Sequence, residues 1–296
     1  MNASARDTKG EDGALEITPI AGSLGAEVGG VALGRPLQTG TRAALRRALN
    51  EHLVLFWRDQ VLTPDQQLAF STCFGPLIRV PYVKPLADYP EIIAVLKEAE
   101  ERAISTFGGT WHTDFSFLQA PPMGSVLYAL EVPRRGGDTI WANMYDAYEA
   151  LSEGMKAMLA GMRAMHSGHV YGARNPPKGI RTSRSIEISR DNPEADVERA
   201  HPVVRHHPES GRKCLFVNPV YTTRFEGMTQ AESRPLLEFL HDHATRPEFT
   251  CRFTWAPGTL AIWDNRCTQH YAVNDYDGER RLLHRTTIGG EEPLMG

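Results

Sequence analysis

The spacing of apolar and polar residues along the chain predicts only a few helices. Apolar residues recur at intervals of four over residues 43–53, which is typical of one face of an amphipathic helix. Capping boxes, in which a threonine precedes Gln or Glu by three residues, predict that further helices begin at Thr63 and Thr229. A fourth, short helix is predicted to begin at Ser152 and to end by Gly161.

Most of the other apolar segments are short, rich in β-branched residues and bounded by turns, which is typical of strands. Because these strands outnumber the helices and do not alternate with them, a doubly wound parallel sheet is disfavoured. The pattern predicts a mainly β protein with flanking helices, built as an antiparallel barrel or a jelly roll. The predicted strands cover residues 54–57, 126–132, 139–142, 214–218, 252–255, 259–263 and 282–288.

Two segments do not fit this regular pattern. Residues 1–13 are small and polar and are predicted to form a disordered tail. Residues 172–198 are charged, contain prolines and have no clear period, so we expect a surface excursion or a lid. The remainder, residues 14–296, is predicted to be a single domain.

Composition excludes several classes of function. Of the 296 residues, 41% are hydrophobic and 23% are charged, with a formal net charge of -4. Nucleic acids and anionic membranes attract an excess of positive charge, so neither is an expected partner. The chain has no apolar stretch near the roughly 20 residues of a membrane helix, and its four cysteines form no CxxC pair. We therefore expect reduced thiols and a cytoplasmic location.

The most informative polar motif is His112-Thr113-Asp114. In an extended segment, residues two apart project to the same face, so the imidazole and the carboxylate would lie side by side. They supply two of the three ligands of a 2-His-1-carboxylate iron site, and His270, which follows the apolar strand 259–263, is a candidate for the third. A polar pair on a solvated strand, together with a core histidine at 270, is the alternative interpretation.

Two arginines follow the last candidate ligand. Arg281 and Arg285 differ by four positions, and they are separated from the preceding strand by Asp275-Tyr276-Asp277-Gly278, which has the Asp-Gly signature of a tight reversal. On a strand both guanidinium groups would project to one face and would favour bound anions. A pair of surface salt bridges is the alternative.

In this order, the residues resemble the Fe(II)/2-oxoglutarate-dependent dioxygenases of the taurine and 2,4-dichlorophenoxyacetate dioxygenase family. The resemblance extends from about Ile17 to Pro293. It implies a double-stranded β-helix (jelly roll), the cofactors ferrous iron (Fe(2+)), 2-oxoglutarate and O2, and release of succinate and CO2. The segments that carry it are Gly22–Glu27, Trp111–Asp114, Gly136–Thr139 and Trp263–Arg285.

The resemblance also implies roles for individual residues. It implies that iron is bound by His112, Asp114 and His270. It implies that Thr139 and Arg281 bind the far carboxylate of 2-oxoglutarate, which suits the forked geometry of arginine. Arg285 then lies near the anionic group of the organic substrate and close to the co-substrate.

The expected substrate is a small anionic organic molecule. Where taurine dioxygenases proper have His, Tyr and Asn, this chain has Val80, Val83 and Thr110, which favours a more hydrophobic acid. An aryloxyalkanoate, an alkyl sulfate or a sulfonate would be hydroxylated and then undergo C–O or C–S cleavage. We predict that Val80, Phe115 and Tyr221 line the pocket, with ordinary core packing as the alternative.

Three other functions remain open at this stage. A taurine dioxygenase proper would have the same metal centre. A zinc-dependent hydrolase could use the same three ligands, although it leaves Thr139 and Arg281 without a role. A non-catalytic sensor on the same fold is the third. Family members commonly associate, so the resemblance also implies a homo-oligomer.

Overall fold

A computed structural model describes residues 15–173 and 185–296. The predicted tail at residues 1–13 and the centre of the predicted excursion, residues 174–184, lie outside the described residues. Within the described ranges, no helix combines the length and the apolar character needed to span a bilayer. The helices are α1 (Thr39–His52), α2 (Pro64–Ser71), α3 (Met144–Glu149), α4 (Glu153–Leu159) and α5 (Gln230–Ala244).

Strands dominate the described part of the chain, as the sequence predicts. They are β1 (Glu16–Pro19), β2 (Ala26–Gly29), β3 (Val54–Trp57), β4 (Ile92–Lys97), β5 (Gly124–Glu131), β6 (Thr139–Asn143), β7 (Arg163–His166), β8 (Arg199–Pro202), β9 (Val204–His206), β10 (Lys213–Leu215), β11 (Thr222–Phe225), β12 (Thr250–Phe253), β13 (Leu260–Asp264), β14 (Thr268–Ala272), β15 (Arg281–Ile288) and β16 (Leu294–Met295).

A seven-stranded sheet in the order β1-β2-β3-β13-β5-β15-β4 forms the centre of the fold. All of its pairs are antiparallel except β2 with β3. A three-stranded sheet, β12-β6-β14, packs against it through aromatic side chains. The ring of Phe56 stacks on Phe253 with centroids 3.8 Å apart, and Trp141 contacts Trp263 at 5.8 Å. The two sheets therefore enclose an apolar core in the manner of a jelly roll.

The opposite face of the large sheet is covered by helices. Along β3, Val54 and Phe56 belong to the core between the sheets, whereas Leu55 and Trp57 belong to a second core. That second core also contains apolar residues of α1 and α2. Since both faces of β3 are buried, its sequence is continuously apolar rather than alternating.

The helix starts follow the sequence signals closely. In both predicted capping boxes the threonine accepts from the third residue of the helix, whose side chain in turn accepts from the threonine backbone. Helix α2 ends at Ser71 and a 3-10 turn continues to Phe74, just before Gly75. Helix α1 begins at Thr39, four residues before the first residue of the predicted helix. The apolar pattern did not reveal this first turn because the turn is largely polar.

The predicted reversal between β14 and β15 is present but does not form a hairpin. The chain turns at Asp277-Gly278, where the Glu279 amide donates to the Tyr276 carbonyl. However, β14 pairs with β6 in the small sheet, whereas β15 pairs with β4 and β5 in the large one. The turn therefore carries the chain from one sheet to the other, which places His270 and the two arginines on opposite walls of the space between them.

Two histidines, His201 and His241, are expected to make stability depend on pH. Burial lowers the pKa of His201 and that of His241 to about 4, whereas an unfolded chain has a histidine pKa of about 6.5. Below about pH 6.5 the unfolded chain therefore binds protons that the folded chain does not. The free energy of unfolding should fall as the pH decreases from about 6.5 to about 4, by about 1.4 kcal/mol per pH unit for each histidine.

Urea unfolding at several pH values in this window measures the slope. In the His241→Gln variant, which lacks one of the two histidines, the free energy of unfolding should change less steeply with pH, by about 1.4 kcal/mol per pH unit. An unchanged slope in that variant would contradict the assignment.

Candidate metal centre and its two cavities

His112 and His270 lie opposite each other although they are far apart in sequence. The His112 amide donates to the His270 carbonyl at 3.1 Å, and the His270 amide donates to the His112 carbonyl at 2.8 Å. His270 is in β14, so this isolated antiparallel bridge adds His112 to the edge of the small sheet. Directly opposed residues of an antiparallel pair project to the same face, and the two imidazole centroids are 4.1 Å apart.

Asp114 completes the group two residues after His112. Its Oδ1 atom lies 3.7 Å from Nε2 of His112 and 3.9 Å from Nε2 of His270, and all three side chains are buried. The chain leaves the extended conformation directly afterwards, because Phe115 has a φ of 47° in the left-handed region. Two imidazole nitrogens and one carboxylate oxygen on one side of a common point form the 2-His-1-carboxylate arrangement.

The electrostatic environment favours the protonation states that a metal needs. Burial tends to raise the pKa of Asp114, but Arg285 and then His270 and His112 bring it well below its usual value. Burial, followed by the nearby His112, lowers the pKa of His270 well below its usual value. At neutral pH the carboxylate is therefore ionised and the His270 imidazole is neutral, as metal ligands must be.

The backbone fixes the tautomer of His112. Its Nδ1 atom is 2.8 Å from the Thr110 carbonyl oxygen. Since a carbonyl only accepts hydrogen bonds, Nδ1 carries a proton, which leaves Nε2 as the nitrogen that can bind a metal.

A second buried group, His207, Asp264 and Cys267, also has the residue types of a metal site. However, Asp264 already accepts from the Arg266 backbone and guanidinium and lies 3.0 Å from Nε2 of His207. Burial also raises the pKa of the Cys267 thiol well above its usual value. The occupied carboxylate and the protonated thiol make this group a structural network rather than a metal site.

A narrow inner cavity of about 30 Å³ adjoins the two histidines. Arg281 and Arg285 both reach it from β15, and each is only 3% exposed. Arg281 donates from Nε to the Gly137 carbonyl, and no carboxylate in the described part of the chain lies within ion-pair distance of it. Thr139 accepts from Nε1 of Trp255, which leaves its own hydroxyl proton available to donate. A buried cation beside a hydroxyl donor favours an anionic ligand.

Arg285 lies where this cavity meets the metal centre. Its Nη1 atom donates to Oδ1 of Asp114 at 2.9 Å. Its Nε and Nη2 atoms are buried and have no hydrogen-bond partner in residues 15–173 and 185–296. Buried donors without a partner are costly, so these two atoms also favour an anion with acceptor oxygens.

An outer pocket of about 330 Å³ lies on the other side of His112 and Asp114. Tyr221, predicted from the sequence, lines it, and its hydroxyl is 3.2 Å from that of Tyr171. Burial raises the pKa of both phenols, so their hydroxyls are protonated at neutral pH. The sequence reasoning missed several lining residues, which lie on short segments without a hydrophobic period: Phe107, Val170, Tyr171, Ile188, Arg190 and Val220.

The other two residues predicted to line the pocket, Val80 and Phe115, do not line the outer pocket. Val80 is buried and lines a neighbouring open groove of about 730 Å³, which shares Ile188 and Arg190 with the outer pocket. Phe115 lines neither cavity. Its ring lies 5.2 Å from the guanidinium carbon of Arg285 and 6.0 Å from the ring of Tyr171. Phe115 therefore packs against residues of the site without lining either cavity.

Comparison with known proteins matches this architecture to one family. The family model for "Taurine catabolism dioxygenase TauD, TfdA family" matches residues 16–287. An alkylsulfatase of Acinetobacter baylyi is 37% identical over 278 residues, covering 94% of this chain and 86% of the relative. An alpha-ketoglutarate-dependent sulfate ester dioxygenase of Pseudomonas putida is 37% identical over 285 residues, covering 95% and 91%.

A solved structure has the same fold as this chain. The crystal structure of a putative alpha-ketoglutarate-dependent taurine dioxygenase from Burkholderia xenovorans superimposes with a TM-score of 0.80 at 34% identity, covering 95% of this chain and 92% of that one. The predicted jelly-roll fold and the predicted enzyme class are thereby confirmed. The chain belongs to the taurine catabolism dioxygenase TauD, TfdA family and is an alpha-ketoglutarate-dependent dioxygenase.

Proposed function

We propose that this enzyme oxidises an alkyl sulfate at the carbon that bears the ester oxygen. The two relatives described above are named for action on sulfate esters. The observation that carries the proposal is the pair of buried, unpartnered donor atoms on Arg285. Arg285 contacts Asp114, which lines the largely apolar outer pocket. A sulfate group supplies acceptor oxygens for that arginine, and an alkyl chain suits the aliphatic and aromatic wall.

His112, Asp114 and His270 are the proposed ligands of ferrous iron, and their donor set and protonation states fit that ion. Arg281 and Thr139 are proposed to bind the far carboxylate of 2-oxoglutarate. When bound, iron and 2-oxoglutarate supply oxidation of a C–H bond by O2, with release of succinate and CO2. The chain itself contributes orientation, charge compensation and exclusion of water.

In the proposed reaction one oxygen atom of O2 enters the substrate C–H bond and the other enters succinate. The hydroxylated carbon then bears both a hydroxyl and the sulfate oxygen. Loss of sulfate with the hydroxyl proton leaves an aldehyde, so the C–O bond is broken without hydrolysis of the S–O bond.

Arg285 is proposed to orient the anionic group of the substrate, with Tyr171 and Tyr221 forming the facing wall. The two phenols hydrogen-bond to each other, which leaves mainly ring surface for an apolar chain. Thr110 also lines this pocket. Its hydroxyl is a weaker hydrogen-bond acceptor than the charged amine of taurine would need. This arrangement supports an alkyl sulfate over taurine.

A substrate panel tests the proposal. Anaerobic protein loaded with Fe(II) and 2-oxoglutarate is exposed to O2 with octyl sulfate, an aryloxyacetate, an alkyl sulfonate or taurine, and succinate, sulfate and aldehyde are measured. We expect octyl sulfate to give succinate, sulfate and aldehyde in equal amounts. Coupled turnover with the aryloxyacetate or taurine and none with octyl sulfate would refute the sulfate assignment. Product formation without 2-oxoglutarate or O2 would instead indicate a metal-dependent hydrolase.

A further inference from the structure

A chain of buried hydrogen bonds leads to Asp114 from the side opposite Arg285. We propose that Ser125 and Asn265 are positioning residues that hold one carboxylate oxygen of Asp114, so that only the other oxygen binds the metal. The inference rests on the proposed function, because it takes Asp114 to be a metal ligand.

Three side chains form this chain of hydrogen bonds. The indole Nε1 of Trp263 donates to Oδ1 of Asn265 at 2.9 Å. Nδ2 of Asn265 donates to the Ser125 hydroxyl at 3.4 Å, and that hydroxyl donates to Oδ2 of Asp114 at 2.8 Å. Each of the three is at most 1% exposed, so water does not compete for these bonds.

The chemistry of these groups allows the hydrogen bonds to run in only one direction, from Trp263 to Asp114. An indole N–H can donate but cannot accept, which orients the oxygen of the Asn265 amide toward Trp263 and its NH2 group toward Ser125. The Ser125 oxygen therefore accepts, and its single proton points at the carboxylate. The indole, the amide and the hydroxyl each donate one hydrogen bond along this series, so the Ser125 proton is directed at Oδ2 of Asp114.

The two oxygens of Asp114 consequently have different surroundings. Oδ2 faces Ser125, whereas Oδ1 faces Nε2 of both histidines and the guanidinium of Arg285. Without the Ser125 proton, Oδ2 would be a buried anionic oxygen without a partner, and the carboxylate would no longer be held with Oδ1 toward the two histidines. The hydrogen bond thus favours binding through one oxygen and leaves more of the metal's coordination sphere open.

The sheet keeps this chain of hydrogen bonds rigid. Ser125 of β5 and Trp263 of β13 are directly paired in the large sheet, and the Asn265 amide donates to the Met123 carbonyl at 2.8 Å. Trp263 also packs against His270, with ring centroids 4.8 Å apart. One pair of strands therefore supports two of the three proposed ligands, which is the kind of support that preorganises a metal site.

The Ser125→Ala variant tests the proposal through metal binding rather than turnover. Anaerobic titration with Mn(II) should give a Kd about 10- to 100-fold weaker than that of the wild type. The matched control is Ser233→Ala on α5, which also removes a buried hydroxyl with one donated and one accepted hydrogen bond. There the hydroxyl donates to the Thr229 carbonyl and accepts from the Phe225 backbone amide. The control should bind Mn(II) as the wild type does, although both variants lose a similar amount of metal-free stability.

The Asn265→Asp variant tests the direction of the hydrogen bonds. A carboxylate at this position would accept the Ser125 proton and withdraw it from Asp114, so Mn(II) binding should weaken as in Ser125→Ala. The double variant should bind no more weakly than either single one, because both remove the same proton. In both single variants the visible charge-transfer band of the Fe(II)–2-oxoglutarate complex should also shift.

The outcomes separate this inference from the proposed function. If Ser125→Ala binds Mn(II) within about twofold of the wild type and leaves the band in place, the positioning role is wrong. That result decides the matter even if Asn265→Asp does not fold. If the wild type itself binds no Mn(II), the metal centre of the proposed function is wrong instead.

Discussion

Replacing His270 with alanine should reduce succinate formation at least about 1,000-fold, a change of about 4 kcal/mol in the activation barrier. The imidazole is neutral and buried and faces Asp114 and His112, and nothing else on β14 can replace its lone pair. Alanine at His112 or Asp114 should have the same effect. Succinate release at fixed Fe(II) and 2-oxoglutarate measures all three variants.

A matched control separates loss of the metal from loss of the fold. His241 is also a largely buried histidine, but it lies on α5 and lines neither of the two cavities. We expect His241→Ala to retain most of the activity. Turnover in His270→Ala that remains within tenfold of the wild type would refute the ligand assignment.

Replacing Arg281 with alanine should raise the KM for 2-oxoglutarate about 10- to 100-fold, while the KM for the organic substrate changes little. Arg281 is buried, lines the inner cavity and pairs with no described carboxylate. Its Nε donates to the Gly137 carbonyl, so the two Nη groups are the donors we expect to bind the co-substrate. The loss of charged hydrogen bonds, worth about 1.5–3 kcal/mol, gives the expected range. Titration of each compound at saturating levels of the other measures the two constants.

Arg285→Ala is the matched comparison, because it removes the same side chain four residues further along the same strand. Here the KM for the organic substrate should rise by a similar factor. Arg285 also contacts Asp114, so a partial loss of metal affinity should accompany it. Equal effects of both variants on both constants would contradict the proposed division of roles.

The sequence is most informative where chemistry and local pattern coincide. Residues two apart within His112-Thr113-Asp114, and four apart in Arg281 and Arg285, could be placed on common faces from spacing alone. The capping boxes at Thr63 and Thr229 likewise depend on neighbouring residues. These features need no knowledge of distant contacts, which explains why they could be predicted.

Long-range geometry could not be read in the same way. That His112 pairs with His270 depends on one isolated bridge, which no local pattern encodes. The resemblance to a family, rather than periodicity, joined these two residues. The Asp-Gly turn was visible, but its role as a crossover between sheets depends on which partners β14 and β15 choose.

The walls of the outer pocket were the least predictable part. Tyr171 is the last residue of a short 3-10 turn, and Ile188 and Arg190 lie on a segment joined to the loop at Val83 by one β-bridge. Such segments carry no hydrophobic period, so their contacts arise only when the whole chain folds. For Val80 the prediction and the structure differ. Its position in the chain suggested that it lines the pocket, whereas in the structure it lines the adjacent groove.

The most direct test of the central claim is the location of the metal in a crystal grown anaerobically with Mn(II). Anomalous scattering should give one peak per chain, within bonding distance of Nε2 of His112, Oδ1 of Asp114 and Nε2 of His270. A peak at His207, Asp264 and Cys267 instead, or no peak between His112 and His270 at saturating Mn(II), would contradict the account.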